Sequence, residues 1–391
     1  MSILLLIVGL LLFVGLVVVH EYGHYLAARK GGVEVEEFGI GFPPRAWGRK
    51  LKSGMDFTLN WLPLGGFVKL KGEHDSATAK GSFGAAPLGT KVKIMLAGVG
   101  MNLLTAFIIF TFLALIGIPK LIDNQFTVSS DTRVTQSRVI IGSVEANSPA
   151  SKSGMQVQDE VVGISNNDSK SEIDSAAELS EVTKNYAGEQ VTITVIRDDQ
   201  QKELQTELRS KEEVEASKKT DNPKGYLGVS PAELTIQRST WSAPIVAAGL
   251  IKQFTVMTLK GLGTAIKGLG SIIAGVLTGN TQARQNGQSS ASSQVSGPIG
   301  IIVVMNNISE LGISFVLMII GLISLTLAIM NALPIPALDG GRLFVTLLFK
   351  AMRKPLTQSM EEKIHGTGFL VLMVLIVLIT IVDVKRLPWF N

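Results

Sequence analysis

The chain has 391 residues, 46% of them hydrophobic and 17% charged, with a formal net charge of +4. So weak a charge, with no basic run interleaved with aromatics, excludes nucleic acid as a partner, and the composition suits a polytopic membrane protein with a soluble portion. The absence of cysteine excludes disulfides and thiolate metal sites, so any metal must be held by His, Asp or Glu.

A membrane-spanning helix needs about 20 apolar residues. The first candidate begins at Ile3, runs as ILLLIVGLLLFVGLVVV and continues into HEYGH at 20–24; residues 1–26 are expected to form a first transmembrane helix. It has no basic n-region and no A-x-A-type site behind it, which argues against a removable leader. Residues 27–93 form a loop rich in Lys and Arg, and residues 94–119 a second transmembrane helix. Residues 120–236 are polar, with alternating runs such as RVIIGSVEA and QVTITVIRD, and predict an inserted α+β domain. A short helix over SPASKSGM, ending at Gly154, precedes the strand EVVGISN.

Residues 237–312 predict interfacial amphipathic helices and a polar linker. Lys252, Lys260 and Lys267 recur every seven or eight residues and share one helical face, and 280–296 is a Ser/Gln-rich linker. A fifth span over 241–279 is the alternative. Residues 313–339 form the third transmembrane helix, 340–365 a basic loop and 366–385 the fourth transmembrane helix. Lys and Arg concentrate in 27–93 and 340–365, which places both loops in the cytoplasm. The N- and C-termini and the inserted domain are then extracytoplasmic.

HEYGH fits H-E-x-x-H. On a helix, His20 and His24 lie about 40° apart around the axis and can reach one metal, with Glu21 beside them as general base. Ionisable groups near the end of a span are costly unless they have a use. A catalytic zinc needs a third protein ligand and an open position. His74 and His365 lie in loops and read as solvated. Asp339, in NALPIPALDGG at the cytoplasmic end of the third span, falls at the depth of His20 and His24. Pro334 and Pro336 break the helix there, and free backbone at membrane depth is tolerated only where protein covers it or it lines a cavity. Two histidines and one carboxylate suit zinc, and iron in principle.

HEYGH, AGVGMN and NALPIPALDGG together resemble the three motifs of the site-2 protease family, most closely its bacterial RseP/RasP-type intramembrane zinc metalloproteases. The resemblance extends to LPLGGFVKLKGE and to SGPIG before the third span. It implies that His20, His24 and Asp339 bind one Zn2+ and that Glu21 is the catalytic base. It also implies that Asn102 and Asn331 position substrate or polarise its carbonyl, and that Pro334 and Pro336 shape the substrate groove. Val99 stands where relatives usually carry a proline. DFTLNWLPLGGFVKLKG resembles a membrane-dipping β-hairpin in which Gly65, Gly66 and Phe67 bind unwound substrate as an added strand. The segment VIIGSVEANSPASKSGMQVQDEVVGISN resembles a PDZ domain, with Gln158 and Asp159 in place of the commoner GD. Tyr226, Leu227, Gly228 and Val229 resemble its carboxylate-binding loop, and only one PDZ-like unit fits.

By this resemblance the protein is a zinc metalloendopeptidase of the bacterial inner membrane. It would cut single-span membrane proteins, such as anti-sigma factors and remnant signal peptides, after an upstream site-1 protease has cut them. The alternatives are a non-catalytic PDZ scaffold, which has no use for Glu21 and Asp339, and a metal transporter. A transporter would spread ionisable groups through the bilayer rather than gather them at one level.

Overall fold

A computed structural model of the chain describes residues 2–166, 169–218, 220, 223–282, 285–286 and 311–385. The chain divides into two units, residues 1–115, 126–128 and 241–391 in one, residues 116–125 and 129–240 in the other. Most of the polar linker expected over 280–296, and all of SGPIG, lie outside the described residues.

The first unit opens with helix α1 (Ser2–Lys30), apolar as far as Val19 and with Arg29 and Lys30 in its last turn, where cations suit the helix dipole. Gly32, at φ +76°, supplies the left-handed residue that stops it. Strands β1 (Val35–Lys50) and β2 (Asp56–Leu70) follow as an antiparallel pair. Both double back, so that Phe38 has Val68 on one side and Phe57 on the other. The segment expected to form a hairpin by itself, 56–72, is therefore one partner of a larger sheet, and its mate lies in what the sequence leaves as loop. Pro43 and Pro44 conceal β1, since proline argues against a strand. Ring contacts from Tyr25 to Phe38, Phe38 to Phe57 and Phe57 to Trp47 tie the sheet to α1. Helix α2 (Leu88–Ile116) begins about one and a half turns before the expected start of the second span.

The second unit runs through β3 (Ile118–Pro119), β4 (Arg133–Val144), α3 (Pro149–Lys152), β5 (Glu160–Ser165), β6 (Lys170–Glu172), α4 (Ala176–Asn185), β7 (Gln190–Arg197), β8 (Gln200–Glu207) and α5 (Lys211–Ser217), then closes on β9 (Val229–Arg238). One seven-stranded sheet runs β3-β9-β4-β5-β7-β8, with β6 beside β5. The alternating residues Val139, Ile141, Val161, Ile164, Ile193 and Val195 bury one sheet face against Leu179 of α4. Ser148 caps α3 by accepting from the Ser151 N–H, and Gly154 (φ +78°) ends the turn, as the sequence predicts. Asp159 is 1% exposed and accepts from Arg197 at 2.6 and 2.7 Å. Gln158 adopts φ +73°, a left-handed conformation that costs a side-chain-bearing residue about 1 kcal/mol. Gln158→Gly should therefore stabilise this unit by about 0.5 kcal/mol once glycine's extra chain entropy is subtracted. Thermal unfolding should show a higher midpoint; a lower one contradicts this.

The chain then returns to the first unit with α6 (Ala243–Thr278), α7 (Ile313–Ala332), α8 (Asp339–Ala351) and α9 (Gln358–Lys385). Among the described residues, four helices are long and apolar enough to cross a membrane: Ile7–Lys30, Leu88–Ile116, Ala243–Ile272 and Ile313–Ala332. Where several interfacial helices are expected, residues 243–278 form one continuous helix of 36 residues. Its three lysines are exposed, while Val246, Ala247, Leu250 and Phe254 are buried. Gly366–Val382, the expected fourth span, is helical within α9. The expected basic loop 340–365 is largely helix α8 and the start of α9. Its stretch DGGRLFVTLLFKA has helical period, with Val345 and Thr346 buried and Phe344, Leu347 and Leu348 exposed. Leu16 of α1 packs with Val316 and Ile320 of α7. Phe110 of α2 sits over Gly321 of α7 and against Phe254 of α6.

Candidate active site

His20 and His24 stand one turn apart on α1. Asp339 is the first residue of α8, reached through a break at 333–338 where Leu333 is extended and Ala337 takes φ +81°. The two prolines prevent α7 from running on. Gly340 and Gly341 let α8 start directly against that break. A Cβ on Gly340 would lie 2.3 Å from the Ala332 carbonyl, and one on Gly341 2.0 Å from that of Ile335. The double glycine after Asp339 is thus a condition of its position.

The three side chains converge. His20 Nε2 is 3.1 Å and His24 Nε2 3.2 Å from Asp339 Oδ2, and the two Nε2 atoms are 3.2 Å apart. A tetrahedron with metal–ligand bonds of about 2.0–2.1 Å has edges of about 3.3 Å. The triangle matches one face of such a tetrahedron and leaves a fourth position, which is what a catalytic zinc requires. It is the one cluster of this kind among the described residues. His24 Nδ1 lies 2.7 Å from the Ile94 carbonyl, so Nδ1–H donates there and Nε2 is free to ligate. His20 Nδ1 lies 3.2 Å from the side-chain amide of Asn102.

Glu21 and His24, with Gly66, Phe67, Asp339 and Arg342, line a cavity of about 170 Å³. The Val68 backbone lies beside the Glu21 carboxylate. Gly66 permits this approach of β2 to α1, because a Cβ there would sit 3.1 Å from both Glu21 Cγ and the Gly39 carbonyl. Gly65 carries the Phe42 ring, and Gly39 the Phe67 ring, across the strands.

Two contributors escape a reading of the sequence. Gly98 faces the metal ligands: its missing Cβ would lie 2.4 Å from His24 Nε2 and 2.6 Å from His20 Nε2. Arg342, one turn beyond Asp339, donates to the Glu73 carbonyl, lies 3.6 Å from the Glu361 carboxylate and 4.6 Å from the Phe83 ring centre. It ties α8 to the loop after β2 and to α9. The G-x-x-x-N spacing of Gly98 and Asn102 could have pointed to the first; a charge three residues from a ligand carries no signal for the second.

Asn102 is fully buried. Asn331 is half-buried at the end of α7, and Pro334 is exposed. Pro336 packs on Gly368 of α9 and lines an apolar cavity of about 570 Å³. His74 is near Glu361 and Glu362, at 3.9 and 3.6 Å, rather than simply solvated. His365 is not in a loop: it lies in α9, and its Nδ1 accepts from the Ala337 N–H at 3.3 Å. Burial and, after it, the Arg342 charge hold its imidazole below the usual histidine range.

In the second unit, the carbonyls of Tyr226, Leu227 and Gly228 accept from the N–H groups of Arg209, Ala150 and Glu145. Gly228 has φ +77°, and a Cβ there would lie 2.3 Å from that of Ser148. Val229 begins β9. That strand pairs with β4 along its length, while among the described residues Ile118–Lys120 cover its other edge at Thr235, Ile236 and Gln237.

Residues 8–375 match the family model described as Peptidase family M50. The chain is 30% identical over 379 residues to a Clostridium perfringens protein named "Putative zinc metalloprotease", covering 97% of this chain and 98% of that one. It is 28% identical over 380 residues to a Fusobacterium nucleatum protein of the same description, covering 97% and 96%. It is 24% identical over 455 residues to "Probable protease eep" of Enterococcus faecalis, covering 95% and 96%.

Proposed function

The chain belongs to peptidase family M50, the site-2 proteases, and from that premise we propose that this multi-pass zinc metalloprotease cuts single-span membrane proteins within their spans. The observation that carries this reading is the coincidence of the metal triangle, Glu21 and the cavity on helices long enough to cross a bilayer. The substrates are anti-sigma factors and remnant signal peptides already shortened by a site-1 protease. The protein lies in the bacterial inner membrane, with its termini and inserted domain extracytoplasmic and its site near the cytoplasmic side.

Bound zinc supplies Lewis acidity, lowering the pKa of water and polarising the scissile carbonyl. Glu21 takes a proton from the attacking water and delivers it to the leaving amide nitrogen as the C–N bond breaks. A helical substrate must unwind first, because its carbonyls are engaged in the helix. The segment Gly66–Val68, which pairs with β1 and lines the cavity, takes the unwound chain as an added strand. Asn331, Pro334 and Pro336 hold the substrate's other side. Trp47 and Trp61, 51% and 70% exposed, anchor the sheet at the lipid interface beside Arg45, Arg49, Lys50 and Lys52.

The inserted domain is a single PDZ domain that acts as a size filter or reads new C-termini. The support is the Tyr226–Val229 loop leading into a β9 edge that Ile118–Lys120 cover only at its far end. The test is the full chain in liposomes with a single-span substrate, its outer domain intact or removed. Cleavage inside the span of the shortened substrate alone is expected. Equal cleavage of both forms, or cleavage only outside the span, contradicts the reading.

A further inference from the structure

Helix α2 lays the row Ile94, Gly98, Asn102 along the two histidines, each residue one turn from the next. Ile94 offers its carbonyl to His24 Nδ1, Gly98 leaves room for both rings, and Asn102 meets His20 Nδ1. In one orientation of the amide, Nδ2 faces the ring nitrogen and Oδ1 is buried with no hydrogen-bond partner. That arrangement needs an unprotonated Nδ1, and hence a proton on Nε2, the atom turned to the metal triangle. A neutral histidine that ligates through Nε2 carries its proton on Nδ1 and needs an acceptor there. Rotating the amide by 180° exchanges oxygen and nitrogen, which have nearly the same shape. Oδ1 then accepts from His20 Nδ1–H, just as the Ile94 carbonyl accepts from His24.

Asn102 is 0% exposed, and its backbone carbonyl accepts from Ser324 Oγ of α7 at 2.8 Å, where Ser324 is itself fully buried. The residue is clamped between three helices, facing a ligand rather than open cavity. We propose that Asn102 is a positioning residue of the metal centre: its side-chain oxygen accepts from His20 Nδ1–H, fixing the tautomer and ring orientation that present Nε2 to zinc. This takes the place of a contact to substrate, and it rests on the zinc reading above.

The test compares full-length wild type, Asn102→Leu and Asn102→Asp in detergent. Zinc affinity is measured by chelator competition, the visible spectrum is recorded with cobalt in place of zinc, and KM is determined at saturating zinc. Leucine keeps the volume and removes the acceptor; aspartate supplies an acceptor. Asn102→Leu should weaken zinc about 10–100-fold and alter the cobalt spectrum. Asn102→Asp should restore affinity to within a few-fold of wild type, with KM unchanged. Wild-type zinc affinity in Asn102→Leu, with a raised KM, would show a substrate contact and overturn the proposal. Equal weakening in both variants would reduce Asn102 to packing and also overturn it. Failure of wild type itself to bind zinc would sink the zinc reading instead, and the two failures are therefore distinguishable.

Discussion

Replacing Glu21 by Gln is expected to abolish cleavage while leaving zinc bound at the wild-type level. Glutamine has the volume of glutamate and fits the same place in the cavity wall. It cannot accept the proton of the attacking water. Loss of a positioned general base costs about 10²–10⁴-fold in rate, or roughly 3–5 kcal/mol of barrier. The metal is spared because the ligand triangle consists of His20, His24 and Asp339, not Glu21. Single-turnover cleavage and metal analysis on the same preparation separate the two effects. Retained cleavage would remove Glu21 from its role, and lost zinc would make it a structural partner of the site.

Gly98→Ala is expected to empty the metal site without unfolding the helix that carries it. The added methyl would lie 2.4 Å from His24 Nε2 and 2.6 Å from His20 Nε2. Both distances are well inside van der Waals contact, so the imidazoles must swing away from Asp339. Alanine favours a helix over glycine by about 1 kcal/mol, so α2 itself gains. Zinc content and cleavage should both fall to background, with no loss of thermal stability in the zinc-free protein. Gly100→Ala is the control two residues along. Nothing lies within 4 Å of the place its methyl would take, and zinc content and cleavage should remain at the wild-type level. Normal zinc binding in Gly98→Ala would mean that α2 does not approach the histidines as closely as described.

The metal triangle was legible in the sequence for a physical reason. His20, Glu21 and His24 sit within one helical turn, and the chain has only four histidines. Asp339 lies more than three hundred residues away, yet the break at Pro334 and Pro336 marks where backbone at membrane depth must face protein or a cavity. What eluded the sequence is set by partners distant along the chain. Gly98 matters because of what α2 faces, which its G-x-x-x-N spacing with Asn102 marks but does not explain. Strand β1 carries prolines and reads as loop until β2 is laid beside it. Helix α6 has lysines at helical spacing, and that stripe disguised a continuous helix of 36 residues with an apolar buried face. The α+β domain was visible in its period-two runs, whereas its β9 edge emerges only once β3 and β4 are paired on either side.

The most direct test of the account is a zinc titration of chelator-stripped protein against cleavage of a shortened single-span substrate. The account predicts no cleavage by the stripped protein and a rise with added zinc that breaks at about one ion per chain, since one triangle of ligands holds one tetrahedral metal. Cleavage that survives stripping, or zinc bound at that ratio with no cleavage in the wild type, would contradict it.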